Sequence, residues 1–329
     1  MKSRIVASAV LALALVGVTA QAAPAADGDI STKATIQVGL NPWGVAISPN
    51  NGVVALVANG GTGKVTVVNP RKQTVTGEVA VGGSPTGVVF SPDGALAYVA
   101  NYNGYLSVLS VTSSARVLTT VPIGSAAYGV AVSPDGGTVY VANRGSGTVS
   151  VVDTSSNAQV ATITVGTSPT GIAVSPAGDL VYATNSASNT VSVIDVSTRR
   201  VIATIPVQPG PVGVVFNSAG TQAYVANSAM SGGKSISIID TASNEVTAAI
   251  AGGPRPYAVA LSPDGSSLFV TNQISSGPGT VTVIDTQSNA IVDQVTVGHV
   301  PQGVVVGPLA VYAFVTNLWS DTLTMLSLN

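Results

Sequence analysis

The chain has 329 residues with 12 basic and 14 acidic side chains, a formal net charge of −2, one histidine and no cysteine. Hydrophobic residues make up 46% of it and charged ones only 8%, where an ordinary soluble domain is about a quarter charged. That balance excludes a disordered chain, which combines low hydrophobicity with high net charge, and the missing cysteine excludes disulfides, thiolate chemistry and a lipid-bearing N-terminal cysteine.

At the N-terminus Lys2 and Arg4 precede an apolar run from Ile5 to Val18, and Ala20-Gln21-Ala22 supplies the small residues of a cleavage site. The run is short for a membrane span, so residues 1–22 are expected to be a secretory signal peptide; a retained anchor helix is the alternative. Losing Lys2 and Arg4 leaves 10 basic against 14 acidic residues, a net −4. No other segment reads as membrane-spanning. The expectation is an extracytoplasmic protein, secreted, periplasmic or cell-surface, and monomeric. Residues 23–32 are expected to form a short linker and 33–329 the folded domain.

The domain is a series of repeats. One four-residue word recurs seven times: Leu56-Val57-Ala58-Asn59, Tyr98-Val99-Ala100-Asn101, Tyr140-Val141-Ala142-Asn143, Tyr182-Ala183-Thr184-Asn185, Tyr224-Val225-Ala226-Asn227, Phe269-Val270-Thr271-Asn272 and Phe314-Val315-Thr316-Asn317. The asparagines are spaced 42, 42, 42, 42, 45 and 45 residues apart. In the second repeat Gly82-Gly83-Ser84-Pro85-Thr86-Gly87 leads into an apolar strand, Val88 to Phe90. Ser91-Pro92-Asp93-Gly94 turns it into the Tyr98–Asn101 strand, and Leu106–Leu109 and Val117–Val121 complete the set. Asp-Gly between apolar runs marks a hairpin, because glycine accepts positive φ. Four short Val-, Ile- and Thr-rich strands per repeat describe one propeller blade.

The two ends of the chain complement each other. The seventh repeat stops after its third strand, Thr322 to Leu328, whereas Thr35-Ile36-Gln37-Val38 stands alone before the first and reads as a fourth strand. Pairing them closes an all-β, seven-bladed β-propeller of four antiparallel strands per blade, with the N-terminal strand completing blade seven and no unprotected edge. Gly307-Pro308-Leu309-Ala310 replaces the Ser-Pro-Asp-Gly turn, leaving the first hairpin of blade seven the least well specified.

These words resemble the YVTN family of β-propeller repeat proteins over essentially the whole mature chain. The resemblance implies seven blades and extracytoplasmic or cell-surface placement, but no common chemistry.

Features present in every blade are read as scaffold. The seven asparagines are expected to bond local backbone at the end of strand two, and Tyr98, Tyr140, Tyr182, Tyr224 and Tyr312 to pack blade against blade. The unique residues gather on one rim, built from the loops leading into strand one and those joining strands two and three. Here fall Trp43, Trp319, His299, Tyr102, Tyr105, Tyr128, Tyr257, Arg144, Arg255, Lys64 and Lys234, with the lengthened loops Ser228–Lys234 and Gln273–Gly279. We call this the mouth rim. The other, the turn rim, carries repeated turns and the basic residues Arg71, Lys72, Arg116, Arg199 and Arg200, expected as solvated charge.

Trp43 and Tyr128 stand just before the glycine that opens strand one, and Tyr257 holds the same place before Ala258. They are expected to ring the channel mouth, stacking on a ligand or on each other. The ligand-binding candidates are Trp43, Tyr102, Tyr105, Tyr128, Arg144, Arg255, Tyr257, His299 and Trp319. His299, expected near the axis, is the sole candidate for a general base. One histidine cannot supply a His-rich metal site, no cofactor is expected, and Asp321 is read as the lone acid on the mouth rim, without a partner for paired-carboxylate catalysis. The reading is a non-catalytic binding or scaffold module for a protein, peptide or glycan. Its alternatives are a lyase or hydrolase using His299 and a single-stranded nucleic-acid binder using Lys64, Arg144, Lys234 and Arg255.

Overall fold

A computed structural model describes residues 30–112, 114–228, 234–274 and 276–328. The expected signal peptide lies outside these residues, as do parts of the lengthened loops of blades five and six. The described chain forms seven four-stranded antiparallel sheets. Six use consecutive strands. The seventh joins Pro301–Val306, Tyr312–Asn317 and Thr322–Ser327 to the N-terminal strand Ser31–Gln37, which pairs antiparallel with Thr322–Ser327. That strand begins inside the stretch expected to be linker: Ser31 already pairs with Ser327 and Thr32 with Leu326, ahead of a register shift between Thr32 and Ala34.

Seven apolar cores lie between successive blades. In each, the first residue of the repeated word packs on the next blade: Leu56 between blades one and two, Tyr98, Tyr140, Tyr182 and Tyr224 in turn, then Phe269 and Phe314. The last core joins blade seven to blade one and includes Ile36, Phe314, Leu323 and Met325 together with Ala55 and Val57. Burying a side chain of this size contributes about 1.5–3 kcal/mol, so closure is made by the same packing as every other blade contact. Tyr312 does not belong to this register. It opens its strand two residues earlier, is half-buried, and leaves the packing position to Phe314.

The asparagines do more than bond local backbone. All seven are buried, and each Nδ2 donates to a buried hydroxyl on strand three: Thr66 at 2.8 Å, Ser107 at 3.0 Å, Ser150 at 2.9 Å, Ser192 at 3.0 Å, Ser237 at 3.0 Å, Thr282 at 2.8 Å and Thr324 at 2.9 Å. The expected backbone bonds are there too, as from Asn59 to the Val57 carbonyl. The hydroxyls at these positions were readable as a second repeated signal.

Glycine opens the innermost strand because blades approach there by backbone alone. A Cβ on Gly44 would meet the Thr86 carbonyl oxygen at 2.7 Å, one on Gly87 the Tyr128 oxygen at 2.6 Å and one on Gly129 the Thr170 oxygen at 2.5 Å; at Gly171 the approach to the Val212 oxygen is closer still. Where the word contains threonine, its hydroxyl staples the same junction. Thr184 Oγ1 donates to Val212 O at 2.6 Å, Thr271 to Gln302 O at 3.1 Å and Thr316 to Trp43 O at 2.6 Å.

The poorly specified hairpin of blade seven forms. Gly307 N–H donates to Tyr312 O at 2.8 Å, and Ala310 takes φ 52°, the left-handed conformation that Gly94, Gly136, Gly178, Gly220 and Gly265 supply in other blades.

Candidate ligand-binding mouth

The loops leading into strand one and those joining strands two and three share one rim because backbone hydrogen bonds tie them together blade by blade. Tyr102 N–H donates to Ser84 O at 2.8 Å, Arg144 N–H to Ala126 O at 2.9 Å and Gln273 N–H to Arg255 O at 3.0 Å. The residue before each inner-strand glycine, or before Ala258, then faces the axis. These seven are Trp43, Thr86, Tyr128, Thr170, Val212, Tyr257 and Gln302, and all line a cavity of about 210 Å3 in the central channel.

The aromatic members meet across the ring. Trp43 and Tyr128 make an edge-on contact, ring centroids 5.5 Å apart at 80°. The Tyr128 and Tyr257 hydroxyls share a short hydrogen bond. Arg144 lies over the Tyr128 ring, 5.9 Å from its centroid, a cation–π distance. Burial pushes the Tyr128 hydroxyl well above the ordinary value of 10, reinforced by Tyr257. Burial also raises Tyr257, opposed by its bond to Tyr128 and by the charges of Arg144 and Arg255. Both hydroxyls therefore keep their protons at neutral pH, and the mouth offers ring faces and edges, neutral hydroxyls and two guanidiniums.

The remaining sequence candidates lie elsewhere on the rim. Tyr102 and Tyr105 are about half exposed and Trp319 is 66% exposed, all outside the channel lining. His299 is not near the axis: the outer strand of blade six runs on to Ile291–His299, so the residue ends that strand, exposed and opposite Pro278. Its backbone N–H donates to Ser320 Oγ at 2.8 Å, while Asp321 Oδ1 accepts from Asn41 N–H at 2.8 Å. Among the described residues no hydrogen bond links the imidazole to Ser320 or Asp321. Glu78 is a second acid toward this rim, paired with Lys64 at 2.7 Å; neither Lys64 nor Lys234 lines the mouth. Thr86, Thr170 and Gln302 also line the mouth; they share Trp43's position in the repeat and were legible by register alone. No group of three or more His, Cys, Asp or Glu side chains suited to a metal occurs among the described residues.

The opposite end of the channel is apolar, lined by Val45, Ala46, Ile47, Val88, Val89, Phe90, Val132 and Val305 with turn prolines and serines. On that rim the carboxylates are used by their own turns. Asp153 accepts from Ser155 Oγ, Ser156 N–H and Ser156 Oγ at 2.7–2.8 Å, and these bonds lower its pKa from 3.8 to about 2.

A family model described as YNCE-like beta-propeller matches residues 6–310. The narrower YVTN resemblance is not what that match names; the two are related β-propeller families. No curated protein sequence matches the chain. Among solved structures it is similar to a chain of the hydrazine synthase of Kuenenia stuttgartiensis, with 24% identity and a TM-score of 0.79, covering 87% of this chain and 95% of that one. Likeness at that identity shows the shared fold.

Proposed function

The chain belongs to the YNCE-like β-propeller family, and from that premise we propose that it is an exported, non-catalytic binding module that holds a peptide, glycan or protein segment at the mouth of its channel. A fold of this kind carries many functions, so the reading rests on the site. The observation that carries it is the convergence of Trp43, Tyr128 and Tyr257, from blades one, three and six, with two guanidiniums beside them. Aromatic faces next to a few polar groups suit sugar rings and peptide side chains. Extracytoplasmic placement is supported by the basic start and apolar run of residues 1–18, by the absence of cysteine and by the YVTN-like words. No helix among the described residues is long and apolar enough to cross a membrane.

Trp43 is one of two tryptophans, which gives a direct test. In a Trp319→Phe variant, Trp43 emission reports the mouth alone. Titration with a panel of glycans and peptides is expected to shift that emission for the members that bind. Binding by any member with unchanged Trp43 emission contradicts the placement, and an N-terminal sequence of the mature protein still starting at Met1 contradicts cleavage.

A further inference from the structure

Beside the channel mouth, blades three to six enclose a second cavity of about 170 Å3, whose polar lining is Arg144, Thr170, Ser186, Ser228, Arg255 and Tyr257. It shares Thr170, Val212 and Tyr257 with the channel mouth, so one ligand can span both. Among the described residues two guanidiniums line it and no acidic side chain does. The salt bridge found among the described residues is Lys64–Glu78, which leaves both arginines without a carboxylate. Arg255 Nε is buried with no hydrogen-bond partner, and so is the hydroxyl of Ser228, a residue only 8% exposed. A buried donor left unmatched is costly, more so when charged, and two like charges in one niche repel. An anion in the cavity relieves both.

We propose that Arg144, Arg255 and Ser228 form an oxyanion-binding arm of the mouth, taking a carboxylate of a bound peptide segment whose apolar side chain lies against Trp43, Tyr128 and Tyr257. This rests on the binding-module reading and gives it a ligand class. The planar fork of a guanidinium matches the two oxygens of a carboxylate, and the Ser228 hydroxyl adds a third donor. The protein as a whole is acidic, so attraction for an anion has to come from this local pair.

Isothermal titration with sodium benzoate and with neutral benzyl alcohol tests the arm. The purified protein is expected to bind benzoate at least tenfold more tightly than benzyl alcohol. Arg144→Gln and Arg255→Gln are each expected to weaken benzoate tenfold or more and benzyl alcohol by clearly less, so that the preference for benzoate falls; unaltered thermal midpoints exclude misfolding as the cause. Equal affinity for the two probes, no benzoate binding, or full benzoate affinity in the double arginine variant overturns the proposal. Trp43→Ala separates the two ideas. If it abolishes benzyl alcohol binding while the arginine variants are silent, the aromatic mouth stands and the oxyanion arm falls. If the arginine variants alone act, the arm stands and the aromatic mouth falls.

Discussion

The two rims of the ring spend their polar groups differently. On the turn rim, Asp93, Asp135 and Asp264 accept from serines two residues before them, and Asp153, Asp195, Asp240 and Asp285 from the residues that follow them. On the mouth rim, buried polar atoms are left over: the Oδ1 of all seven repeated asparagines, Arg255 Nε, Ser228 Oγ, Gln273 Nε2 and Gln302 Oε1. Ser48 Oγ, at the far end of its strand, is the exception on the other side. Buried polar groups in a native protein are normally paired. A rim whose groups satisfy one another is a fastening; on the other, the unmatched atoms that face a cavity are those of Arg255, Ser228 and Gln302, and there a ligand belongs.

The contrast holds only in a closed ring, and opening the ring has the largest effect expected. Deleting Ser31–Gln37 removes Ile36 from the blade seven–blade one core and bares the strand Thr322–Ser327. Truncating Ile36 alone to alanine costs about 2–5 kcal/mol, so the deletion is expected to abolish cooperative thermal unfolding and leave the chain prone to association. A sharp, unshifted calorimetric transition contradicts closure by this strand.

Gly171→Ala comes next. Its Cβ would collide with the Val212 carbonyl, beside a residue that lines the mouth. An expected loss of about 1–3 kcal/mol, the range for overpacking, is measurable by denaturant midpoint. Ala258→Gly, where a Cβ is already accommodated, is expected to cost much less.

Acid sharpens the contrast from the turn side. Hydrogen bonds hold the carboxyl of Asp153 at about 2 in place of 3.8, and lower those of Asp93, Asp135, Asp195, Asp240, Asp264 and Asp285. A depressed pKa contributes stability that is present above the unfolded value and lost as pH falls through the folded one. The thermal midpoint is therefore expected to fall from about pH 4 down to pH 2. Replacing Asp153, Asp195, Asp240 and Asp285 together with asparagine is expected to flatten that fall; a profile of unchanged steepness shows that these turns do not set it. The smallest effect is expected at Ala310→Gly, where relief of the left-handed φ slightly exceeds the added chain entropy. A gain of about 0.5 kcal/mol is expected by chemical denaturation.

The ring itself was legible because its physics repeats. Seven asparagines, the Asp-Gly turns and the unmatched first strand suffice to count blades and close them. The mouth was legible only in part. Trp43, Tyr128 and Tyr257 share a register that the sequence displays, but their contacts cross the channel between residues 85 and 129 positions apart, and such contacts exist only after closure. His299 was misplaced for a local reason: the outer strand of blade six extends to it, leaving a single residue before Pro301, so it never turns toward the axis. The small polar residues Ser186 and Ser228 carried no compositional signal in a chain rich in such residues; the cavity they line singles them out.

The most direct test of ligand binding at the mouth compares one variant per rim in the same assay. Trp43→Ala with Tyr257→Ala alters the mouth; Arg71→Ala with Arg116→Ala alters the turn rim. Against glycans, peptides and carboxylates that the unaltered protein binds, the first pair is expected to lose at least tenfold in affinity and the second to match the parent. Full affinity in the mouth variant, or its loss in the turn-rim variant, contradicts the account.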